Sequence, residues 1–265
     1  MAGVLPRISN ADPIACQICG SPSRLYGVVD FGKSADVING NPIIYTGIPI
    51  YYRRCKSCDF IFSDTMIDWS VNDFKREIYN NDYKLYDPDY EFKRPNSFSQ
   101  VFYDLIGNIV DRERCLDFGG GAGIFARIMR EKGLDYVSFD PFYGDDFDLS
   151  QRFDFITAIE VLEHSNNPKE TARSICSLLS PGGFAVITTL LQPSNFDVIG
   201  LNWWYVSPRN GHISIYSKKS LNALFGLFLF KVINLSDNIH LIYKDRGPLI
   251  DRLMTKIMGK KAVGG

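Results

Sequence analysis

A glycine-rich turn between two apolar segments constrains the fold of this chain more than any other feature. Residues 115–118 (Cys-Leu-Asp-Phe) predict a short buried strand, and residues 124–132 predict the helix that follows it. The turn between them reads Gly-Gly-Gly-Ala-Gly over residues 119–123. Glycine tolerates positive φ and lets the backbone approach a ligand closely. We therefore expect a strand and helix of a parallel α/β sheet, with a ligand bound at the turn.

Asp117, beside this turn, indicates which ligand it binds. Residues 121–126 also fit the looser G-x-G-x-x-A form of dinucleotide-binding proteins. A carboxylate at the mouth of the turn would repel a pyrophosphate and attract a cation. S-adenosylmethionine (SAM) carries an ammonium and a sulfonium but no phosphate, so the residues favour SAM. An NAD-dependent enzyme is the alternative that Asp117 disfavours.

Strand-like and helix-like segments alternate from residue 115 onward, and this alternation predicts a parallel sheet with helices on both faces. A tight turn is expected at residues 181–183, just before a strand at 184–189. The remaining strands are expected at 135–139, 153–159, 231–235 and 240–244, the last two as an antiparallel pair, and helices at 97–112 and 168–179.

Four motifs in this region resemble those of class I SAM-dependent methyltransferases. They are residues 117–123, Asp140, residues 153–164 and residues 178–184, in that order along the chain. The resemblance covers residues 115 to about 245, and it implies a Rossmann-like α/β sheet of seven strands whose last strand is antiparallel. It also implies that the glycines cradle the methionine end of SAM and that Asp140 accepts hydrogen bonds from the ribose. The residues predicted to bind the cofactor are Asp117, Gly119, Gly121, Gly123, Asp140, Ile159 and Glu160.

The sequence departs from this family after the second strand. Only 13 residues separate Asp140 from Asp154, whereas a helix, a strand and their turns need roughly 20. We expect the second helix and the third strand to be absent or vestigial. Phe142, Tyr143 and Phe147 are candidates to cover the adenine, or equally to give apolar cover to the sheet edge.

Two Cys-x-x-Cys pairs, Cys16/Cys19 and Cys55/Cys58, form a second strong signal. Each pair resembles a zinc knuckle, and four thiolates suit tetrahedral Zn²⁺ in a closed structural site. A redox role is the alternative, although the thioredoxin-like unit that normally carries it is missing from the pattern. The 35 residues between Cys19 and Cys55 imply a long hairpin or excursion. Many methyltransferases that act on sugars or small metabolites carry a similar N-terminal zinc-binding domain.

The segment Glu160-Val161-Leu162-Glu163-His164 follows a predicted strand end, where ligands gather in open α/β sheets. In a helical turn Glu160 would lie near Glu163 and His164, and these side chains could hold Mg²⁺ or another divalent ion. The string is similar to a metal site of ubiquinone-biosynthesis O-methyltransferases and small-RNA 2′-O-methyltransferases. The alternative is that these side chains fix the loop by hydrogen bonds, without a metal.

His212 is the candidate for a further metal ligand, as in the small-RNA enzymes, or by itself for a general base or a substrate contact. We predict that His212, His164 and Glu163 form the catalytic group. Residues 203–205 (Trp-Trp-Tyr) lie upstream and are read either as a substrate wall, on which a sugar would stack, or as a lid that packs on the core.

The charge and apolar patterns exclude several classes of protein. A formal net charge of −1 argues against nucleic acid as the partner, and the longest apolar runs are too short to span a membrane. We find no export signal in the N-terminal residues, so a cytoplasmic location is expected. A basic amphipathic helix near the C-terminus is expected to dock on its own domain, with membrane contact as the less favoured reading.

These patterns divide the chain into a zinc-ribbon-like domain (1–63, beginning with a loose leader to about residue 12), a connector (64–96), a methyltransferase domain (97–248) and a helical tail (249–265). The function expected is direct in-line methyl transfer from SAM to a small-molecule acceptor, a sugar or other metabolite, at a hydroxyl. The alternatives are an RNA methyltransferase that grips its substrate with the zinc domain, and a SAM-binding protein without catalysis. The acceptor and the oligomeric state stay open.

Overall fold

A computed structural model describes residues 13–144, 147–148 and 150–263, so the leader expected before residue 13 lies outside the described residues. Helices and strands alternate after an N-terminal group of strands. Single 3₁₀ turns lie at Ala35–Asn39, Leu162–His164, Gly200–Asn202 and Pro208–Asn210. In chain order the elements are β1 (Ile14–Ala15), β2 (Pro22–Asp30), β3 (Pro49–Cys55), β4 (Ile61–Ser63), α1 (Val71–Glu77), α2 (Tyr83–Tyr86), α3 (Lys93–Ile106), β5 (Arg114–Phe118), α4 (Ile124–Glu131), β6 (Asp135–Phe139), β7 (Phe153–Ile159), α5 (Pro168–Leu178), β8 (Leu179–Thr188), α6 (Phe196–Ile199), β9 (Ser214–Ile215), α7 (Lys218–Gly226), β10 (Lys231–Asn234), β11 (Ile239–Tyr243) and α8 (Pro248–Val263).

The larger sheet has six strands in the order β10-β11-β8-β7-β5-β6. Strands β6, β5, β7 and β8 run parallel, and β11 is antiparallel to β8 and β10. The predicted α/β class, the parallel core and the terminal antiparallel pair are therefore confirmed. The strand order reverses at β5, whose neighbours are β6 and β7, and such a reversal opens a crevice at the carboxyl ends of the strands.

Alternate residues of the central strands pack on opposite faces of this sheet, because successive side chains of a strand point to opposite sides. Leu116 and Ile156 belong to the apolar cluster on one face, and Cys115 and Phe155 to the cluster on the other. Helix α8 docks on the second face, where Leu253 is fully buried. The amphipathic pattern near the C-terminus is thus explained by packing on the chain's own sheet.

Among the described residues the larger sheet has six strands, one fewer than the seven that the resemblance implies. The shortening expected between Asp140 and Asp154 is confirmed, because β6 ends at Phe139 and β7 is the next strand. Phe147 packs against Phe139 at 4.7 Å between ring centroids, which favours its reading as apolar cover of the sheet edge.

The tight turn expected at residues 181–183 is instead an irregularity inside β8. Pairing with β7 passes from Leu179 directly to Phe184, and Gly182 has a φ of 81°. The glycines let the strand bend there without ending, since positive φ costs glycine little. The helix expected at 97–112 begins earlier and ends earlier, as α3.

The smaller sheet contains five antiparallel strands in the order β1-β2-β3-β4-β9. Its last strand comes from far along the chain, with Ile61 paired to Ile215 and Phe62 to Ser214. The long hairpin expected between the two cysteine pairs is the β2–β3 hairpin. The N-terminal strands and the segment after β8 therefore share one sheet, while the division of the chain at residues 63, 96 and 248 stays a prediction.

Candidate active site

A cavity of about 810 Å³ opens at the carboxyl ends of β5, β6 and β7, beneath the helices of the connector. The glycine turn, residues 139–143 at the end of β6, and residues 159–161 and 164–167 at and beyond the end of β7 form its floor. The connector adds a largely aromatic wall, which includes Trp69, Phe74, Tyr79, Tyr83 and Tyr90. The cavity therefore lies at the crevice that the strand order predicts.

The glycine turn has the backbone that its sequence predicts. Gly119, Gly121 and Gly123 have φ values of 73°, 55° and 72°. A Cβ on Gly119 would lie 2.6 Å from Cγ2 of Val161, so the turn also packs closely on the segment after β7. Gly119 donates from its backbone N–H to the Phe139 carbonyl at 2.7 Å, which ties the turn to the end of β6. The conformation of the turn beside the cavity is therefore fixed by its positive φ values and by its hydrogen bond to β6.

Asp117 lies under the glycine turn and not at its mouth, which corrects the position expected from the sequence. Its side chain is almost fully buried, and Thr157 donates a hydrogen bond to Oδ1 at 3.0 Å. Oδ2 is buried without a hydrogen-bond partner among the described residues, as is Oγ of Ser138. A Cβ on Gly120 would overlap both of these atoms. Burial raises the pKa of Asp117 to about 7, against the hydrogen bond from Thr157, which lowers it.

Asp140 fastens the glycine turn to the segment that follows β6. Its Oδ2 accepts from the backbone N–H of Gly121 at 2.8 Å, and its Oδ1 accepts from that of Phe142 at 2.7 Å. Burial raises its pKa, and these two hydrogen bonds oppose the rise. A carboxylate oxygen accepts more than one hydrogen bond, so both oxygens keep capacity for a ligand hydroxyl in the cavity.

Glu160 follows β7 with the unusual φ of 54°. Its backbone N–H donates to Oγ1 of Thr188 at 2.9 Å, and that hydroxyl donates to Oε1 of Glu160 at 3.1 Å. Burial raises the pKa of Glu160, and the nearby Arg94 guanidinium opposes this shift. Backbone strain of this kind at a non-glycine residue is concentrated at functional sites.

Glu163, His164 and His212 come together, with possible ligand atoms within 4.8 Å of one another. Glu160 is outside this group, which departs from the four-residue cluster expected. Glu163 is fully buried and accepts a hydrogen bond from the hydroxyl of Tyr205 at Oε1. Its Oε2 has no hydrogen-bond partner among the residues described. Of the three predicted catalytic residues, His164 lines the cavity, whereas Glu163 and His212 are buried behind it.

Each of the two imidazoles has one nitrogen in a hydrogen bond. Nδ1 of His164 is 3.0 Å from the hydroxyl of Tyr79, and Nδ1 of His212 is 2.9 Å from the carbonyl oxygen of Tyr205. Burial lowers the pKa of His164 to about 4 and lowers that of His212 well below its usual value. Both rings are therefore neutral at pH 7.

Tyr79 and Arg94 take part in this site and were missed by sequence reasoning, as was the hydrogen bond that Tyr205 makes to Glu163. Tyr79 and Tyr205 hydrogen-bond the predicted catalytic residues, and Arg94 lines the cavity while paired with Asp87 at 2.6 Å. The one signal for Tyr79 in the sequence is the high tyrosine content of the connector, which identifies no partner for it. The run at 203–205 packs in the core, with Trp203 and Tyr205 buried, so the reading as a packed lid fits better than a substrate wall.

The comparisons with known proteins address the chemistry of this cavity. Residues 72–235, more than half of the chain, match the profile of the family described as methyltransferase domain. The chain belongs to this methyltransferase family. It is a SAM-dependent methyltransferase, and the six-stranded sheet is its class I, Rossmann-like core.

Curated relatives of this methyltransferase include two named ubiquinone biosynthesis O-methyltransferase. The one from Bordetella avium is 25% identical over 162 residues, covering 49% of this chain and 67% of that protein. The one from Idiomarina loihiensis is 27% identical over 146 residues, covering 44% of this chain and 60% of that protein. Among solved structures, Streptomyces venezuelae DesVI is similar at 14% identity and a TM-score of 0.46, covering 63% of this chain and 99% of that one. The chain thus spans about two thirds or less of the length of these curated relatives.

The four paired cysteines of the methyltransferase meet at one point of the smaller sheet. Sγ of Cys16 is 3.7 Å from Sγ of Cys58, and Sγ of Cys19 is 3.4 Å from Sγ of Cys55. All four sulfurs lie within 4.8 Å of one another. These distances are too long for disulfides, whose S–S bond is about 2.05 Å, and near the roughly 3.8 Å edge of a tetrahedron with Zn–S bonds of about 2.3 Å.

Backbone N–H groups point at these sulfurs, as in a knuckle turn. Ile18 donates to Sγ of Cys16 at 3.4 Å, and Ser57 donates to Sγ of Cys55 at 3.4 Å. The hydrogen bond between Cys16 and Cys58 lowers the pKa of Cys16, which favours the thiolate form that binds a metal ion. The donor set is that of a closed four-sulfur site.

Among the described residues, the helices are all too short or too polar to cross a membrane.

Proposed function

We propose that this methyltransferase transfers the methyl group of SAM to a hydroxyl oxygen of a small-molecule acceptor. The observation that carries the proposal is that one cavity contains both the glycine turn, at Gly119–Gly121, and His164. A cofactor on the turn and an acceptor beside His164 would therefore share one cavity, as in-line transfer requires. The names of the curated relatives, which are O-methyltransferases, support oxygen as the acceptor atom.

The residues of the turn fit SAM. The backbone at Gly119 and Gly121, which line the cavity, can approach the methionine end closely, since these residues carry no Cβ, whereas Gly123 packs toward Ser138 and is outside the lining. The unpartnered Oδ2 of Asp117 is an acceptor close to the turn, and Asp140 has acceptor capacity for the ribose hydroxyls. Ile159 and Glu160 complete this side of the cavity. When bound, SAM supplies an electrophilic methyl group on its sulfonium.

The acceptor oxygen must lose its proton as its bond to the methyl group forms. His164 faces the cavity and is unprotonated at pH 7, because burial lowers its pKa to about 4. It can accept that proton, and Tyr79 fixes the orientation of its ring through Nδ1. A base with so low a pKa supplies only part of the driving force for removing the proton of the acceptor.

The group Glu163, His164 and His212 fits a divalent ion. Two neutral imidazoles and the unpartnered Oε2 of Glu163 offer three ligand atoms within a few ångström, a donor set that suits divalent transition metals. A divalent ion held there would polarise the acceptor hydroxyl as a Lewis acid. In this proposal Tyr205 and Tyr79 orient the ligands through their hydrogen bonds.

We propose also that Cys16, Cys19, Cys55 and Cys58 hold a structural Zn²⁺. The support is the four-sulfur geometry with its N–H···S hydrogen bonds. All four positions of a tetrahedral ion would be taken by thiolates, so this zinc would have no open position for a substrate.

Nucleic acid and binding without catalysis are the competing functions. Affinity for nucleic acid depends on basic residues that neutralise phosphates. The cavity is lined by two basic residues, Lys75 and Arg94, and by five acidic ones, Glu91, Asp117, Asp140, Glu160 and Glu170. This acidic excess disfavours a polyanionic acceptor such as nucleic acid.

The test is calorimetry of the full chain with S-adenosylhomocysteine and with NADH, followed by SAM turnover on panels of phenols, sugars and short RNAs. We expect the adenosyl compound to bind and Asp140→Ala to weaken it about tenfold or more, from the loss of hydrogen bonds to the ribose. Tight binding of NADH alone would overturn the proposal. Binding without turnover on any panel would favour the non-catalytic alternative, and turnover on RNA alone would favour that substrate class.

A further inference from the structure

The first cysteine turn touches the wall of the cavity. Nε2 of Gln17, which lies between Cys16 and Cys19, donates to the backbone carbonyl of Asn166 at 2.6 Å. Asn166 belongs to the segment 164–167, which lines the cavity and begins with His164. A side chain of the four-sulfur cluster thus contacts the segment that carries the proposed acceptor-side base.

Asn166 passes this contact to a second part of the wall. Its Nδ2 donates to the backbone carbonyl of Trp69 at 2.8 Å and to that of Ile67 at 3.2 Å. Trp69 also lines the cavity, from the connector side. One residue therefore joins the cysteine turn, the segment after β7 and the loop before α1. Movement of the turn at Gln17 would therefore displace residues on both sides of the cavity.

We propose that Gln17 is a positioning residue, which holds residues 66–69 and 164–167 in place and makes this wall depend on the metal state of the cysteine cluster. The proposal rests on the structural Zn²⁺ proposed above. Bound thiolates fix the turn at Cys16 and Cys19, which also holds Ile18 fully buried in the core. Without the ion, four closely spaced sulfurs lose their common partner, and the turn that presents Gln17 loses its restraint.

The second cysteine turn offers a matched control. Nε2 of Gln192 donates to the carbonyl of Asp59, next to Cys58, at 2.8 Å and to that of Ile215 at 3.2 Å. Gln192 is thus also a glutamine that tethers a cysteine turn, but its partners lie in the β3–β4 turn and in β9, and neither lines the cavity. Substitution there tests for general loosening of the cysteine region.

The experiment is hydrogen–deuterium exchange with mass spectrometry on the full chain, with zinc content measured on the same samples. Gln17→Glu keeps the shape but removes the donor. Loss of this one hydrogen bond should raise exchange in residues 66–69 and 164–167 by roughly two- to tenfold, with zinc content unchanged. Gln17→Lys, which restores a donor, should restore slow exchange. Gln192→Glu should leave both segments unchanged.

Removal of zinc from the wild type by a chelator should accelerate hydrogen exchange in the same two segments, while exchange in strand β7 stays unchanged. In the Gln17→Glu variant, zinc removal should raise the exchange rates of these two segments little further, because both changes break the same connection. The proposal is overturned if Gln17→Glu leaves the segments unchanged, if Gln192→Glu has the same effect, or if the purified chain holds no zinc. Calorimetry with S-adenosylhomocysteine separates the two ideas: a chain that fails to bind it, yet shows the exchange pattern, contradicts the cofactor proposal alone.

Discussion

Replacing Asp117 by asparagine should stabilise the protein at neutral and alkaline pH. The carboxyl is buried, its Oδ2 has no hydrogen-bond partner among the described residues, and burial raises its pKa from 3.8 to about 7. A carboxyl with a raised pKa binds its proton more tightly in the folded state. The stability that Asp117 contributes in its protonated form is therefore fully present at low pH and is lost as the pH rises from about 4 to about 7.

The size of this loss follows from the shift in pKa. A shift of about three units corresponds to about 4 kcal/mol, since each unit is worth about 1.4 kcal/mol. Asparagine carries no charge at any of these pH values and keeps an oxygen that can accept from Thr157. We expect wild type and Asp117→Asn to have similar free energies of unfolding near pH 4, and the variant to be more stable by up to about 4 kcal/mol at pH 8.

Urea denaturation at a series of pH values, followed by circular dichroism, measures this difference. Asp135→Asn is the matched control, because Asp135 is an exposed carboxyl at the start of β6 and should leave the pH dependence of the wild type intact. Parallel pH profiles for wild type and Asp117→Asn would refute the reasoning, since the buried carboxyl would then carry no linked proton.

Three further predictions concern the loop, the histidine cluster and the cysteines. Gly120→Ala should weaken S-adenosylhomocysteine binding at least tenfold in calorimetry, since its Cβ would overlap Asp117 and displace the turn, while Gly144→Ala, which has open space, should bind normally. Tyr79→Phe should lower Mn²⁺ affinity in calorimetry roughly 10- to 100-fold, because His164 loses the partner of its Nδ1. Cys58→Ser should abolish zinc binding by metal analysis and lower the melting temperature by about 5 °C or more, because the cysteine sits in the core.

Each of these has a contradicting result. Equal affinities for Gly120→Ala and Gly144→Ala would mean that the turn does not hold the cofactor. Absence of any Mn²⁺ heat from the wild type would leave His164 as a proton acceptor without a metal. A Cys58→Ser variant with full zinc and an unchanged melting temperature would refute the four-sulfur site.

The parts of the fold that the sequence predicted well are those set by local patterns. The glycine turn and its neighbours were found because strand, turn and helix follow one another within about 20 residues, and each has its own periodicity or backbone requirement. The missing strand after Asp140 was found by chain length alone. The cysteine pairs were grouped because thiolate spacing reports directly on a shared metal.

The parts that were missed depend on contacts between distant residues. The sequence predicts Asp117 at the mouth of the turn. Its burial beneath Gly120 depends on how β5, β6 and β7 pack together, which no local pattern encodes. Tyr79 and Tyr205 reach the histidine cluster from the connector and from the segment after β8, and no spacing rule links them to His164. A two-residue strand such as β9 is too short to show any period of its own.

The pairing of β9 with β4 has a consequence for the order in which this protein can assemble. Strand β4 can pair with β9 only after Ile215 has been synthesised. The smaller sheet therefore cannot be completed while the ribosome is still adding the 153 residues between Ile61 and Ile215. Until then Phe60 and Phe62, which are fully buried at the end, remain beside an open strand edge, a known starting point for misassembly. A fragment ending at residue 63 should therefore aggregate when it is expressed alone, and any transplant of the cysteine module into another enzyme would have to carry the 214–215 segment with it.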